Sequence, residues 1–394
     1  MPMSGRQLGT ENAATRPVRL GYGFGMPDED NGSSNEDEDV HLQWWYDLDL
    51  PLLAEVELLS ARPSYTTCLV TDDGILPVTL RLPATPAVES GLANFLAPPP
   101  DWTATPRTAD EQWGTHSRHE ALGFKGVAIK RIAFNVHARA AQIDPAIRAE
   151  WGQELLAQQI LHHIDTWWEN VRTWLEICTN QRLTQLGQEG DDWLNPHTRT
   201  SIWAVDDYNG ARHEVKVGGT VIRGPERVIG VTPEILQGCA ALAATTPPLA
   251  WRLLRDARAL QNADQLRRAV IDAATAAELA ATKRIDDLLA NEADPKRRKT
   301  LAEAKTLGGK ATALRDELPA NFHADLVRRR NNAVHEGIEV RYPEWEAAFC
   351  AALALVERVF PLPTPPGSAE PLMCFWSRAT RPEIFNSRYG PSRV

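Results

Sequence analysis

The sequence predicts a two-domain chain: a mixed α+β half, rich in strands with one long helix, and then an all-α helical bundle. Three observations carry this. Aromatic and β-branched runs broken by Pro and Gly recur between His41 and Ala138, as strands require. Asn209-Gly210 separates two further strand-like runs, which is the strongest short-range hairpin signal. After Gly230 the chain turns Ala-, Leu- and Arg-rich, with helical periodicity and recognisable caps. A length of 394 residues suits about two domains, each able to bury a core.

Residues 1 to about 40 combine Gly, Ser and Asn with acidic runs such as Glu36 to Asp39, a disordered composition. The glycines from Gly21 to Gly25 lack a following helix, so they do not make a phosphate loop. Gly32-Ser33 with Asp47 and Asp49 copies the spacing of a nucleotidyltransferase metal site, but its setting is an acidic Gly-rich segment rather than a turn before a helix. Strands are expected across 41–60, in Thr66 to Thr71, in Ile75 to Leu82 and in Gly126 to Ala138. A Pro-rich loop, Ala97 to Arg107, interrupts them.

Asp144-Pro145 is an N-cap followed by Pro at the first helical position, and opens a helix expected to run to Asn180. Trp167, Trp168, Val171, Trp174 and Leu175 follow at helical spacing, a packing face rather than a ligand face. His162 and His163 are adjacent and point apart, while His116 and His119 have no second ligand pair near them, so none of these marks a metal. The residues of the α+β region, 41–231, point to no particular family, and a sensor role for it rests on architecture alone.

In the helical region, 232–362, Thr232-Pro233 opens a first helix and Pro247-Pro248 separates it from a second. Asp264 starts a long third one, with a stripe of Leu266, Val270, Ala273, Ala277, Ala281 and Leu288. Small residues at Ala273, Ala274, Ala276 and Ala277 would let a neighbouring helix approach closely. Asp294-Pro295 opens a basic helix carrying Lys296, Arg297, Arg298 and Lys299. Gly308-Gly309 is expected to break that helix, Pro319 ends the next, and Pro343-Glu344 begins the last. The tail, 363–394, reads as Pro-rich and irregular.

The net charge of −10 argues against general nucleic-acid binding through a global field. Pro233 to Leu362 holds 19 basic and 18 acidic residues, so the acidity lies elsewhere. Five scattered cysteines without a CxxC pair suit reduced thiols in a cytoplasmic protein. Neither a signal peptide nor a membrane span is expected.

The chemistry concentrates in Leu326 to Gly337, LVRRRNNAVHEG. At about 100° per residue, Leu326, Val327, Ala333 and Val334 form an apolar stripe with Arg330 in its middle, so a buried, paired guanidinium is expected. Asn331 and His335 are four apart and share a flank, and Gly337 is the residue type that stops helices. Arg330-Asn331-Asn332-Ala333-Val334-His335 resembles the motif of the HEPN superfamily, all-α domains in which Arg, a polar residue and His close a helix. The phrases RRAVIDAATAAE, the stretch near Leu307, and ALALVERVF fit the same family in order and spacing over roughly 247 to 362.

That resemblance implies a HEPN-like bundle and a metal-independent ribonuclease without a cofactor, as in toxins and phage-defence effectors. Arg330 would stabilise charge growing on phosphate, His335 would act as general acid or base, and Asn331 would orient them. Glu278, at the stripe's edge, is the expected partner of Arg330. Lys296, Arg297, Arg298, Lys299, Arg328 and Arg329 are the candidate RNA-backbone contacts. On an α-helix Arg330 and His335 stand about 140° apart, so a homodimer through the helical module is expected to complete one site. An antitoxin or trigger protein is a further expected partner. The alternative is a non-catalytic HEPN module for RNA binding or protein assembly.

Overall fold

The computed structural model describes residues 39–60, 64–71, 74–85, 95–100, 113–117, 126–139, 152–184, 202–205, 212–215 and 228–379. Residues 1–38, with Gly21 to Gly25 and Gly32-Ser33, lie outside these residues, as do His119, Asp144-Pro145, the Asn209-Gly210 turn and the tail beyond 379; Asp47 and Asp49 of the second decoy fall in the first strand, where Asp47 pairs with Arg131.

An antiparallel sheet forms the N-terminal part. Its strands are β1 (Asp39–Glu55), β2 (Ser64–Thr71), β3 (Gly74–Arg81), β4 (Gly114–Ser117) and β5 (Gly126–Arg139). The order is β1-β5-β3-β2, with β4 also pairing to β5. Strand β5 serves as the spine: β4 covers its first residues, from Gly126↔Ser117, and β3 its later ones, to Val136↔Val78. The register of β1 on β5 shifts between Asp47 and Leu52. Pro51 falls inside that shift, where a residue without an N–H can be accommodated in a sheet. The strand expected across 41–60 stops at Glu55, and Val56–Ser60 is a short helix that buries Leu58 and Leu59. Alternation cannot separate five such residues from a strand end. Strands β6 (Ile202–Val205) and β7 (Arg212–Val215) pair antiparallel as the hairpin signal predicts.

The long helix, here the tryptophan helix, runs Gly152–Thr179. It lays Trp167 edge-on against Phe134 of β5, centroids 5.9 Å apart, and Trp44 of β1 stacks on the same Phe134 at 5.5 Å. The tryptophans are therefore core: Trp167, Trp168 and Trp174 are all buried. Asn180 ends the helix in the left-handed region at φ 58°, a conformation Asn tolerates better than most residues.

The C-terminal part is mostly helical. Helices Pro233–Ala241 and Leu249–Asn262 lead into the alanine-rich helix Leu266–Asn291. Ala273, Ala274, Ala276 and Ala277 are buried there, and the helices Leu249–Asn262 and Tyr342–Val359 pack upon it. The basic helix Pro295–Glu303 is capped by Asp294, which accepts from Lys296 N–H at 3.0 Å. Gly308-Gly309 does not break this helix. The break falls at 304–306, and both glycines sit in the first turn of Leu307–Ala313, capped by Thr306. A strong N-cap there outweighs the poor helical propensity of two glycines. Tyr342–Val359, the closing helix, buries Trp345, Phe349 and Val356, and Phe375–Ala379 is a further short helix beyond the expected end of order.

One buried apolar cluster runs from the sheet through the tryptophan helix into the helical part. Just before the expected boundary at 231/232 the chain pairs back onto β1, Glu55 N–H to Val231 O and Val231 N–H to Leu53 O, both 3.0 Å. Gln181 reinforces it, accepting from Leu53 N–H and donating to Leu53 O and Ile229 O. No helix among the described residues is long and apolar enough to cross a membrane.

Candidate functional site

The motif lies on a helix that changes its winding twice. Residues His323–Arg328 are π-helical, Arg329–Asn331 are α-helical and Asn332–Glu336 are π-helical again. Gly337 then takes φ 66°, and its N–H reaches back five residues to Asn332 O. Such wide turns are rare outside functional sites, since each stretches the i→i−4 ladder. Arg328, Arg329, Asn331 and Asn332 nevertheless keep ordinary helical dihedrals, with φ between −64° and −61° and ψ near −44°.

Leu326, Val327 and Ala333 are buried as the stripe predicts. Arg330 is not: it is half-buried, and its Nη1 donates to Asn331 Oδ1 at 3.1 Å. A long cationic side chain can leave its stem on apolar surface and carry its head to the edge, which helical angle alone does not reveal. His335 and Asn331 are exposed. The site is an open face bearing a guanidinium, an amide and an imidazole, rather than a sealed ion pair.

Glu278 also departs from expectation. Its Oε1 accepts from Lys310 Nζ at 3.0 Å, so its cation is Lys310 and not Arg330. Lys310 lies on the same helix as Gly308-Gly309, Leu307–Ala313, and a Cβ built on Gly308 would meet Val327 of the motif helix at 3.5 Å, an ordinary contact. Lys310 is thus brought near the motif by packing that wheel geometry within one helix could not foresee.

Two residues hold the motif helix in place. Arg267, from the first turn of the alanine-rich helix, donates from Nε to Ala333 O at 2.6 Å, satisfying a carbonyl in the last turn where positive charge also suits the helix dipole. At the other flank, Glu344 pairs with Arg329 at 3.1 Å and Arg341 at 3.0 Å. The Arg341 guanidinium and N–H, followed by Arg329, hold the Glu344 carboxyl down at about 2. The sequence signal for Glu344 was its place in the first turn after Pro343; for Arg267 there was only its membership of RRAVIDAATAAE.

The candidate RNA contacts separate. Lys296, Arg297, Arg298 and Lys299 are all exposed on the basic helix, with Arg297 paired to Glu292 at 3.2 Å and Lys299 near Glu303 at 3.8 Å. Arg328 is exposed, whereas Arg329 is tied to Glu344. Ile338 and Tyr342, just beyond the motif, are large apolar side chains left about half exposed. Among the described histidines outside the motif, His162 is exposed and His163 half-buried on the tryptophan helix. Comparison with protein-family models, curated proteins and solved structures finds no match for this chain.

Proposed function

We propose that the chain is a metal-independent endoribonuclease of the HEPN type, a cytoplasmic toxin or phage-defence effector. The observation that supports this best is the solvent-reachable end of the motif helix, where a half-buried Arg330 donates to Asn331 and His335 stands exposed before the stop at Gly337. The chemistry follows from the residue types. The RNA 2′-hydroxyl attacks the adjacent phosphorus, its proton passing to the neutral His335 imidazole. The new P–O2′ bond forms as the P–O5′ bond breaks, and the 5′-oxygen leaves with a proton from an imidazolium or from water. Arg330, always charged and fork-shaped, stabilises the oxygens on which charge grows. Asn331, hydrogen-bonded to Arg330, orients the fork. The products are a 2′,3′-cyclic phosphate and a 5′-hydroxyl. The exposed cations Lys296, Arg298 and Arg328 are proposed to meet the RNA backbone.

A second copy is proposed to dock where Ile338 and Tyr342 emerge, because apolar side chains beside a polar site suit a two-fold interface. The same pair favours the second reading, a HEPN module that assembles with protein and does not cut. Incubation of RNA with the wild type, Arg330→Ala and His335→Ala in the presence of a chelator separates the two. Cyclic-phosphate ends made by the wild type alone support the nuclease; no cleavage by any of them, with self-association retained, supports assembly.

A further inference from the structure

A second guanidinium is anchored on the motif helix and comes from a different helix. The turn at Asp264, φ 59°, starts the alanine-rich helix so that Arg267 falls in its first turn. A cation there opposes that helix's own dipole, so local preference does not account for it. Its contacts do: Nε donates to Ala333 O at 2.6 Å, across 66 residues, and a Cβ built on Gly337 would lie 4.0 Å from Nη1. The head of Arg267 therefore sits against the last turn of the motif helix, the turn that carries His335. The rest of the side chain is exposed.

Arg267 and Arg330 are both held by neutral acceptors. Arg330 Nη1 donates to the Asn331 amide oxygen, and Arg267 Nε to a backbone carbonyl. Among the described residues neither has a carboxylate within ion-pair distance. Glu336 and Glu339, the acids beside the helix stop, are exposed and pair with neither. Other arginines of the helical part differ: Arg329 and Arg341 share Glu344, and Arg284 and Arg358 share Glu317. A guanidinium has five N–H donors and keeps its proton, so Arg267 and Arg330 each retain four donors and a charge that no acid offsets. Fixing one N–H on the protein also sets the plane in which the others are offered, which lowers the ordering cost when an anion arrives.

Ala333 follows Arg330 by three residues, so the two anchors fall within one helical turn, about 5.4 Å along the axis. An RNA strand carries a phosphate at every nucleotide, so a strand with one phosphate at Arg330 brings a neighbouring one past Arg267. We propose that Arg267 is a substrate-binding residue of the motif site, gripping the phosphate next to the one that Arg330 holds. This rests on the motif site being one for RNA. The Nε bond to Ala333 fixes the guanidinium on the helix, and its Nη groups take the phosphate. Arg267 holds the strand, while Arg330 and His335 act on the bond that breaks.

Binding of a fully 2′-O-methylated RNA to the full chain, followed by fluorescence anisotropy in chelator over a salt series, tests this. Such RNA lacks the attacking hydroxyl and reports binding alone. Arg267→Gln is expected to weaken binding roughly tenfold at low salt, the loss of one charge-assisted contact. It also lowers the slope of log affinity against log salt by about 0.7, one phosphate on a single strand. Arg267→Lys, which keeps the charge and lacks the Nε–H held by Ala333, retains the slope and loses part of the affinity. Gly337→Ala disturbs the same turn without removing a cation, and Arg268→Gln removes an exposed charge one residue along; both keep the wild-type slope. With cleavable RNA, Arg267→Gln raises KM and leaves kcat within about twofold. A wild type that binds the methylated RNA with an Arg267-dependent slope and cuts nothing defeats the nuclease but supports Arg267 as an RNA contact. A wild type that cuts RNA while Arg267→Gln keeps its slope overturns the proposal and spares the nuclease. An equal drop in slope for Arg268→Gln, or a wild type that binds no RNA, also overturns it.

Discussion

Replacing Arg255 by methionine removes the stronger of two cations acting on Glu176, and the partner of Glu169 and Asp256, while keeping much of the side-chain volume. The Arg255 and Glu176 side chains are 9% and 4% exposed and stand 3.6 Å apart, so neither charge has water to fall back on. Breaking a buried pair by removing one partner costs about 3–5 kcal/mol. Glu176 keeps its three hydrogen bonds to Leu183 and Thr184, which places the expected loss near the lower end, about 3 kcal/mol. With a urea m-value of about 3 kcal/mol/M, the unfolding midpoint falls by about 1 M. The loss also depends on pH. Burial pushes the Glu176 carboxyl above the usual carboxylate range, and Arg255 is the largest influence drawing it back. Without Arg255 it rises further. A carboxyl raised in the folded state is penalised once ionised, so the deficit is smallest below about pH 4.3 and grows as pH climbs through the folded value. Urea titrations at pH 5 and pH 7 check both size and sign. A midpoint shift under about 0.3 M at pH 7, or one that enlarges toward acid, refutes the reasoning.

Gly337→Ala forces an L side chain into φ 66°, where a Cβ would meet nothing nearer than Arg267 Nη1 at 4.0 Å; the cost is conformational, about 1–2 kcal/mol, read as a lower melting temperature. Arg267→Met leaves Ala333 O without its charged donor and is expected to lose about 1.5–3 kcal/mol in urea unfolding, with amide exchange quickening first in the last turn of the motif helix. Glu317, clamped by Arg284 at 2.7 Å and Arg358 at 3.2 Å, and Glu344 both have carboxyls held below the usual range. Their stabilisation is complete above about pH 4.3 and is lost as pH falls through each lowered folded value, so acid unfolding of Glu317→Gln and Glu344→Gln is expected to be shallower than that of the wild type.

What could be read in the chain was local. Aromatic and β-branched runs bounded by Pro and Gly marked β3 and β5, Asp294-Pro295 placed a cap, and the spacing of Trp167, Trp168 and Trp174 marked a packing face, because each depends on neighbours a few residues away. What escaped was geometry set from a distance. The half-buried, edge-seeking head of Arg330 leaves no composition signal, since the same residues satisfy an apolar helical stripe. Glu278 met Lys310, 32 residues on, through helix packing. Gln181 bonds Leu53, 128 residues away.

The central claim is that one open helix face, bearing Arg330 and His335, cuts RNA. The most direct measurement is cleavage of a defined RNA in chelator, with end-group analysis, by the wild type and the two alanine variants whose melting is unchanged. The account predicts 2′,3′-cyclic phosphate ends from the wild type and a rate reduced by about a hundredfold or more in each variant. Cleavage that persists in both variants, or a wild type that leaves the RNA intact, contradicts it.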